Sequence, residues 1–425
     1  MKKTLLLLSA IFLCLLANSQ DPHLTSWDFN STGFATYNVG AGTVTTSDSA
    51  DVMGICFDAN YVYVRSEGMA SYEMGPFTGN PNTPAGQGFI WKINRNPAPE
   101  SGTHTSEPVT GPLGVAVNGV ALYGKGDSRS YDPMSNSNSP MGLGIWNADA
   151  WVSEGATMDA NGNGHPQQSG QYHYHANPSS LYTDPSGSHS PIIGWAFDGY
   201  PIYGPFGYTD PNDDASPIKR MECGYALRSI TNRNTLPDGS ASTPPGPTVS
   251  GSFPLGTYWE DYEYLGGADL DEYNGRFCVT PEYPSGTYAY FLSTDVSGDP
   301  AFPYMIGLEY YGVVSTADIQ NGYNATIPGG VTCANGPIGI GVSETKEVLN
   351  NIYPNPANDI FTIELQDGTY QILITDYNGK LVHSNQTSSN KINISTTDFT
   401  TGIYLVRVLN DKGLPVGSKR LVVSH

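Results

Sequence analysis

Gly114-Val115-Ala116-Val117-Asn118-Gly119-Val120-Ala121-Leu122-Tyr123-Gly124 has a counterpart later in the chain, Gly194-Trp195-Ala196-Phe197-Asp198-Gly199-Tyr200-Pro201-Ile202-Tyr203-Gly204. Each stretch places Asn-Gly or Asp-Gly between two short apolar runs. Asn, Asp and Gly tolerate the positive φ angles that a two-residue turn requires, so both read as β-hairpins. Two explanations fit the echo: a pair of related, pseudo-symmetric hairpins, or the chemistry that hairpins share.

The rest of the chain favours the same architecture. Among 425 residues there are 49 Gly, 32 Pro and 28 Tyr, and only 14% are charged. Gly and Pro interrupt helices while Tyr suits a half-buried strand, and no long helical periodicity follows the N-terminus. The expected fold class is all-β: a large β-rich domain followed by a small C-terminal β-sandwich. The net charge of −21 repels phosphate backbones and anionic headgroups, which excludes nucleic acid as a partner and argues against lipid surfaces.

Residues 1–20 read as a signal peptide: Lys2 and Lys3, an apolar run from Leu5 to Leu16, then the small-residue region Ala17-Asn18-Ser19-Gln20. The run is short for a bilayer span and no later segment is apolar enough, so no membrane insertion is expected of the mature form. Cys14 lies inside the run behind bulky Leu13, a poor position for a lipid anchor. Removing the leader leaves Cys56, Cys223, Cys278 and Cys333. Four cysteines in an exported protein predict two disulfides, with three pairings open; none forms a C-x-x-C pair, which disfavours a thiolate metal site.

Residues 21–335 read as the main β domain, 336–348 as a linker that begins in Gly336-Pro337-Ile338-Gly339, and 349–425 as a separate domain. In that tail, Phe361, Ile363 and Leu365 share one strand face and Ile372 and Ile374 another. Asp376-Tyr377-Asn378-Gly379-Lys380 is a hairpin turn, and Gly402 to Arg407 opens a further strand. The tail resembles the type A C-terminal sorting domain of the type IX secretion system of Bacteroidota. The resemblance rests on Tyr353-Pro354-Asn355-Pro356-Ala357, Asp376 to Lys380, Gly402-Ile403-Tyr404-Leu405-Val406 and Lys419-Arg420-Leu421-Val422-Val423, in the family's order. It implies the type IX secretion machinery as a partner and a secreted, extracellular or cell-surface location.

Of eight histidines, four fall between positions 165 and 189: His165, His173, His175 and His189. Tyr172-His173-Tyr174-His175 alternates as a strand does, which points both imidazoles to one face, roughly 6.5–7 Å apart along it, and both tyrosines to the other. Imidazoles so placed can converge on one ion. His165 returns through a Pro-Gln-Gln-Ser-Gly loop, His189 through a stretch containing Pro178 and Gly187, and Asp198 is a candidate carboxylate ligand or acceptor for an imidazole. The predicted metal ligands are therefore drawn from His165, His173, His175, His189 and Asp198. Nitrogen and oxygen donors favour a divalent transition metal, zinc or copper, ahead of iron or nickel. The competing reading makes these histidines structural, packed in an aromatic ladder.

Asp159-Ala160-Asn161-Gly162-Asn163-Gly164 matches the start of a calcium loop, but its twelfth position is Gly170 rather than a bidentate acid. Calcium stays possible; a turn that delivers His165 is the simpler reading. Asp269, Asp271, Glu272 and Glu282 are further acids with no spacing that pairs them. No Gly-x-Ser-x-Gly elbow, phosphate loop or dinucleotide fingerprint occurs.

At these residues the chain resembles the YHYH family of exported proteins. The resemblance rests on Gly114 to Asn118, Gly164-His165, Tyr172 to His175, Ser190 to Gly194, Phe197 to Gly204, Asn274-Gly275-Arg276-Phe277, Val279 to Pro284, Gly286 to Phe291 and Phe302-Pro303-Tyr304, and it spans residues 50 to 312. It supports the cluster as the site and implies no particular reaction. Three functions follow: a secreted metal-binding protein, a metallohydrolase or metal-dependent oxidase with Asp198, Asp159 or Glu282 as base acting on a small molecule of unspecified kind, and an adhesion or coat protein with structural histidines.

Overall fold

Both Asn/Asp-Gly turns close hairpins, and the two hairpins lie side by side at the centre of one sheet. The computed structural model describes residues 21–30, 33–183, 187–314, 323–337, 348–376, 380–409 and 415–425. The expected signal peptide, most of the linker and the Asn378-Gly379 turn lie outside the described residues.

The main sheet has eight strands: β1 (Pro112–Ala116), β2 (Ala121–Tyr123), β3 (Gly164–Pro166), β4 (Tyr172–Tyr174), β5 (Ile192–Ala196), β6 (Pro201–Tyr203), β7 (Gly275–Cys278) and β8 (Thr287–Phe291). Their spatial order is β3-β4-β2-β1-β5-β6-β8-β7. Gly119 and Gly199 take φ of +80° and +89° at the hairpin turns. A Cβ on Gly199 would stand 2.3 Å from the Asn94 carbonyl oxygen, so this turn needs glycine twice over.

The sheet is an internal duplication. In the first half, β1 and β2 are antiparallel, β2 and β4 parallel, and β4 and β3 antiparallel. The second half repeats this with β5 and β6, β6 and β8, and β8 and β7. Antiparallel pairing of β1 with β5 joins the halves. Register makes the equivalence residue by residue: Leu122 faces Tyr174 as Ile202 faces Tyr290. Tyr172-His173-Tyr174-His175 thus occupies the place that Tyr288-Ala289-Tyr290-Phe291 occupies in the second half.

The polar anchors repeat as well. Asn118 Nδ2 donates to Tyr174 OH at 3.0 Å, and Tyr290 OH donates to Asp198 Oδ2 at 2.6 Å. Tyr172 OH donates to Asp159, and Tyr288 OH donates to Asp271 Oδ1 at 2.8 Å. Asn163 and Asn274, just before β3 and β7, both have positive φ, 51° and 63°. Of the two explanations for the sequence echo, relatedness is the one the topology bears out.

A second sheet, of Val52–Phe57, Tyr61–Ser66, Phe89–Asn94 and Thr332–Ala334, packs beside the first hairpin, where Trp91 Nε1 donates to Ser66 Oγ and to Gly119 O. Trp91, Trp195, Tyr172, Tyr174, Tyr203, Tyr290, Phe291 and Tyr310 are fully buried in this core. A disulfide joins Cys56 to Cys333, which sit opposite each other in antiparallel strands 4.0 Å apart at Cα. Cys223 and Cys278 are free. The expectation of two disulfides is thereby corrected to one among the described residues: Cys278 is buried in β7 and Cys223 donates to Phe302 O instead.

The chain divides into compact units at 338/339. In the C-terminal unit Leu349–Tyr353, Ile360–Leu365 and Lys391–Ser395 form one sheet, and Tyr370–Asp376, Leu381–Thr387, Gly402–Leu409 and Pro415–Val423 another. Phe361, Ile363, Leu365, Ile372 and Ile374 are all buried between them, the pattern read from their alternation. Among the described residues, no helix is long and apolar enough to cross a membrane.

Two outcomes follow from this fold. Thiol titration of the denatured, unreduced main domain should count the two thiols of Cys223 and Cys278; a count of zero would refute the single disulfide. Asp198→Ala strips partners from Tyr290 OH and the Gly312 and Tyr200 amides. It should cost roughly 3 kcal/mol in denaturant unfolding, the scale of leaving several buried donors unsatisfied.

Candidate metal centre

β3 and β4 form the sheet edge in the first half, and their register places His165 directly opposite His173. The chain reverses between them at Gln167–Gln171, where Gln167 N–H donates to Gln171 O and Gly170 takes φ +83°. Alternation along β4 sends Tyr172 and Tyr174 to the opposite face, where each hydroxyl lies 3.0 Å from Tyr72 OH. The tyrosines fix the strand, and the strand aims the histidines.

His165, His173 and His175 are all buried, and one nitrogen from each lies within 4.8 Å of the others. The Nε2 atoms of His173 and His175 face each other at 2.9 Å. His173 Nδ1 donates to Gln171 O at 3.1 Å, and His175 Nδ1 donates to Gly124 O at 2.8 Å. Carbonyls only accept, so each Nδ1 must carry the proton and each Nε2 is left with a bare lone pair. Two lone pairs pointed at each other repel unless something positive sits between them.

A proton is a poor candidate for that role. Burial pushes the His165 imidazolium down to about 4 and that of His175 to about 3. Burial, with the charges of His175 and His165 next, pushes His173 well below its ordinary value. A transition metal suits the pair. Nitrogens each about 2.0–2.1 Å from one tetrahedral ion stand roughly 3.3 Å apart, so only a few tenths of an ångström separate the pair from bonding geometry. The Nδ1–carbonyl bonds are the outer contacts that orient histidine ligands in known metal sites.

The cluster opens into a cleft of about 440 Å³ whose lining includes Asn80, Tyr123, Asp127, Arg129, Glu154 and Thr157. The Tyr123 ring lies 4.1 Å from that of His173, and burial pushes its phenol up to about 12. His165 Nδ1 is 3.1 Å from Thr157 Oγ1 and its Nε2 is 3.5 Å from Glu154 Oε2. Burial, reinforced by Asp127, raises the Glu154 carboxyl above its ordinary value. Glu154 and Thr157 sit on and just past the short helix Ala150–Glu154, and nothing in their spacing from His165 marked them in the sequence.

Two predicted ligands stand elsewhere. His189 packs against Tyr203, Tyr208 and Phe291, with Nδ1 2.7 Å from Ser190 O, on the second half of the sheet. Asp198 is the counterpart of Asn118 and accepts from Tyr290 OH, Gly312 N–H and Tyr200 N–H. Burial raises its carboxyl to about 6. Proximity in sequence misled here because a hairpin strand carries each residue into the other repeat.

The other acids are engaged too. Asp159 accepts from the amides of Asn161 and Gly162 and from Tyr172 OH, Asn161 donates to Glu73 O, and Asn163 donates to Asn177 O. Each of the three is committed to a different partner, so the segment serves as the turn that delivers His165. Glu282 accepts from Tyr203 OH at 2.8 Å. The second half holds Arg276, Ala289 and Phe291 where the first holds His165, His173 and His175, so the duplication carries this donor set once.

Fold and site together define an all-β protein of two units with a three-histidine cluster buried at the edge of a duplicated sheet. The family model described as YHYH protein matches residues 90–302, half of the chain, and the chain belongs to that family. A secretion system C-terminal sorting domain matches residues 351–424, which makes this a secreted or cell-surface protein handled by the type IX secretion system. No curated protein matches the chain.

Among solved structures, an immunoglobulin-like DUF3244 protein from Bacteroides vulgatus is 19% identical, over 17% of this chain and 80% of its own, with a TM-score of 0.15. CopC from Methylosinus trichosporium is 22% identical over the same shares, 17% and 80%, with a TM-score of 0.14. PorZ, a surface component of the type IX secretion system of Porphyromonas gingivalis, is 13% identical over 88% of this chain and 51% of its own, TM-score 0.17. These likenesses are too distant to bear on the site.

The depressed imidazoles have a measurable consequence. Below pH 6.5 the unfolded chain takes up protons that the folded cluster refuses until about pH 4. Stability of the metal-free protein should therefore fall as pH drops through that window. Buried acids with raised values, such as Asp198, act in the opposite sense. The histidine part is isolated by comparing wild type with a variant in which His173 becomes Ala and His175 becomes Phe. The variant's stability should depend less steeply on pH between 6.5 and 4; an equal slope would contradict the protonation states assigned here.

Proposed function

We propose that this is a secreted metal-binding protein that holds one divalent transition metal, zinc or copper, on His165, His173 and His175. One observation carries the reading: two buried Nε2 lone pairs face each other at 2.9 Å while their Nδ1 protons are fixed on backbone carbonyls. Imidazole donors suit zinc and copper(II), and the absence of any thiolate among the three leaves no preference for softer ions.

Three protein donors beside a cleft leave room for a further ligand, the arrangement of catalytic rather than structural zinc sites. That favours, as the second reading, a metalloenzyme of hydrolase or oxidase type. Glu154, 3.5 Å from His165 and facing the cleft, is the base this chain would supply, in place of Asp159, Asp198 or Glu282. Bound there, a metal would supply Lewis acidity to water or substrate. Glu154 would accept a proton, and Arg129, also in the cleft, would orient an anionic group.

Elemental analysis of the natively purified mature protein should find close to one zinc or copper per chain. The variant His173→Ala with His175→Phe, which installs the side chains the second repeat already folds around, should lose that metal and keep its fold by circular dichroism. A metal-free wild type that takes up neither ion, or unchanged uptake by the variant, would refute the assignment. Glu154→Gln separates the two readings: metal content should persist in both, and hydrolysis of a chromogenic ester panel should drop at least ten-fold if the site is catalytic.

A further inference from the structure

Away from the histidines, Lys125 and Glu107 are both fully buried and their side chains touch. Lys125 follows Gly124 at the end of β2, and Glu107 lies a few residues before β1, so the pair closes the open end of the first hairpin. The contact is between Lys125 Nζ and Glu107 Oε2, and it lacks hydrogen-bond geometry. Among the described residues Glu107 Oε2, the atom that Lys125 Nζ meets, has no hydrogen-bond partner, whereas Oε1 accepts from the Lys125 backbone N–H at 3.0 Å. Nζ has two acceptors of its own, Gly307 O at 2.9 Å and Ile306 O at 3.3 Å. The rings of Trp259 and Phe302 lie 5.2 and 5.8 Å from it.

This arrangement suits covalent bond formation better than charge pairing. An ammonium and a carboxylate removed from water each carry a desolvation penalty, which only a fully satisfied geometry offsets. Here an amine that gives its two protons to Ile306 O and Gly307 O turns its lone pair towards the Glu107 carboxyl. The Lys125 amide, bonded to Oε1, is placed to stabilise negative charge on that oxygen as a tetrahedral centre forms. Oε2 accepts no hydrogen bond from the described residues, so it is the oxygen that leaves.

We propose that Lys125 and Glu107 condense into an intramolecular isopeptide bond. Nζ of the neutral amine attacks Cδ of the protonated Glu107 carboxyl; the Nζ–Cδ bond forms and the Cδ–Oε2 bond breaks. One proton from Nζ joins the hydroxyl of Oε2, and a single water leaves, with no oxidant or other reactant. The remaining amide N–H keeps Gly307 O as acceptor.

The surroundings favour the neutral amine. Burial pushes Lys125 down to about 7, so a large share of it is uncharged at neutral pH. Asp149, within electrostatic reach of Lys125 and held by Tyr304 OH at 2.9 Å from both of its oxygens, is raised to about 7 by burial. The bond would staple the segment before β1 to the end of β2, beside the Gly124 carbonyl that orients His175.

Mass spectrometry of the intact, reduced and denatured mature protein tests this directly. The expected mass is lower than that of the sequence by one water. Trypsin should leave a peptide of residues 96–129 uncut at Lys125, short by one water, with no fragment ions between positions 107 and 125. Lys125→Ala and Glu107→Ala should each restore the unbridged mass. Cleavage after Lys125 in the wild type, with a peptide of residues 96–125 at its full mass, would overturn the proposal whether or not the variants fold.

Discussion

Everything at the histidine cluster depends on how two tyrosine hydroxyls are held on the far side of the same strand. Tyr172 and Tyr174 meet Tyr72, Asp159 and Asn118 in one buried hydrogen-bonded group. Their rings cannot turn away without leaving polar atoms unpaired in a dry core, which fixes β4 in register and in face. With the face fixed, His173 and His175 have one direction to point, and His165 is delivered opposite by β3. The metal-binding reading is in this sense a consequence of tyrosine chemistry.

The duplication shows the same scaffold with and without the donor set. Tyr288 and Tyr290 are anchored by Asp271 and Asp198 much as their counterparts are by Asp159 and Asn118. The intervening positions hold Ala289 and Phe291, and the opposing strand holds Arg276. Fold and site are therefore separable in this molecule. Histidines are not needed to build the sheet, because the second half builds it without them. That weakens the reading in which they serve as packing or ladder residues.

Much of this was legible in the sequence, and the failures share one cause. The hairpins were marked by Asn118-Gly119 and Asp198-Gly199, and the facing of His173 and His175 by period two. The C-terminal sandwich was visible in Phe361, Ile363 and Leu365. Those are local signals. His189 and Asp198 were misplaced because they belong to the other repeat, a fact set by the parallel pairing of β6 with β8 rather than by nearby residues. Glu154 was missed because a five-residue helix brings it in. The partners of Cys223 and Cys278 were likewise matters of long-range packing, which spacing does not encode.

The position of a bound ion decides whether the three histidines are ligands. A crystal of the natively purified protein, measured on both sides of the zinc and copper absorption edges, would locate it by anomalous scattering. A single strong peak is expected in the main domain, about 2.0–2.1 Å from a nitrogen each of His165, His173 and His175. A peak bound elsewhere, or an empty cluster in which an ordered water or a proton bridges the two Nε2 atoms, would contradict that assignment.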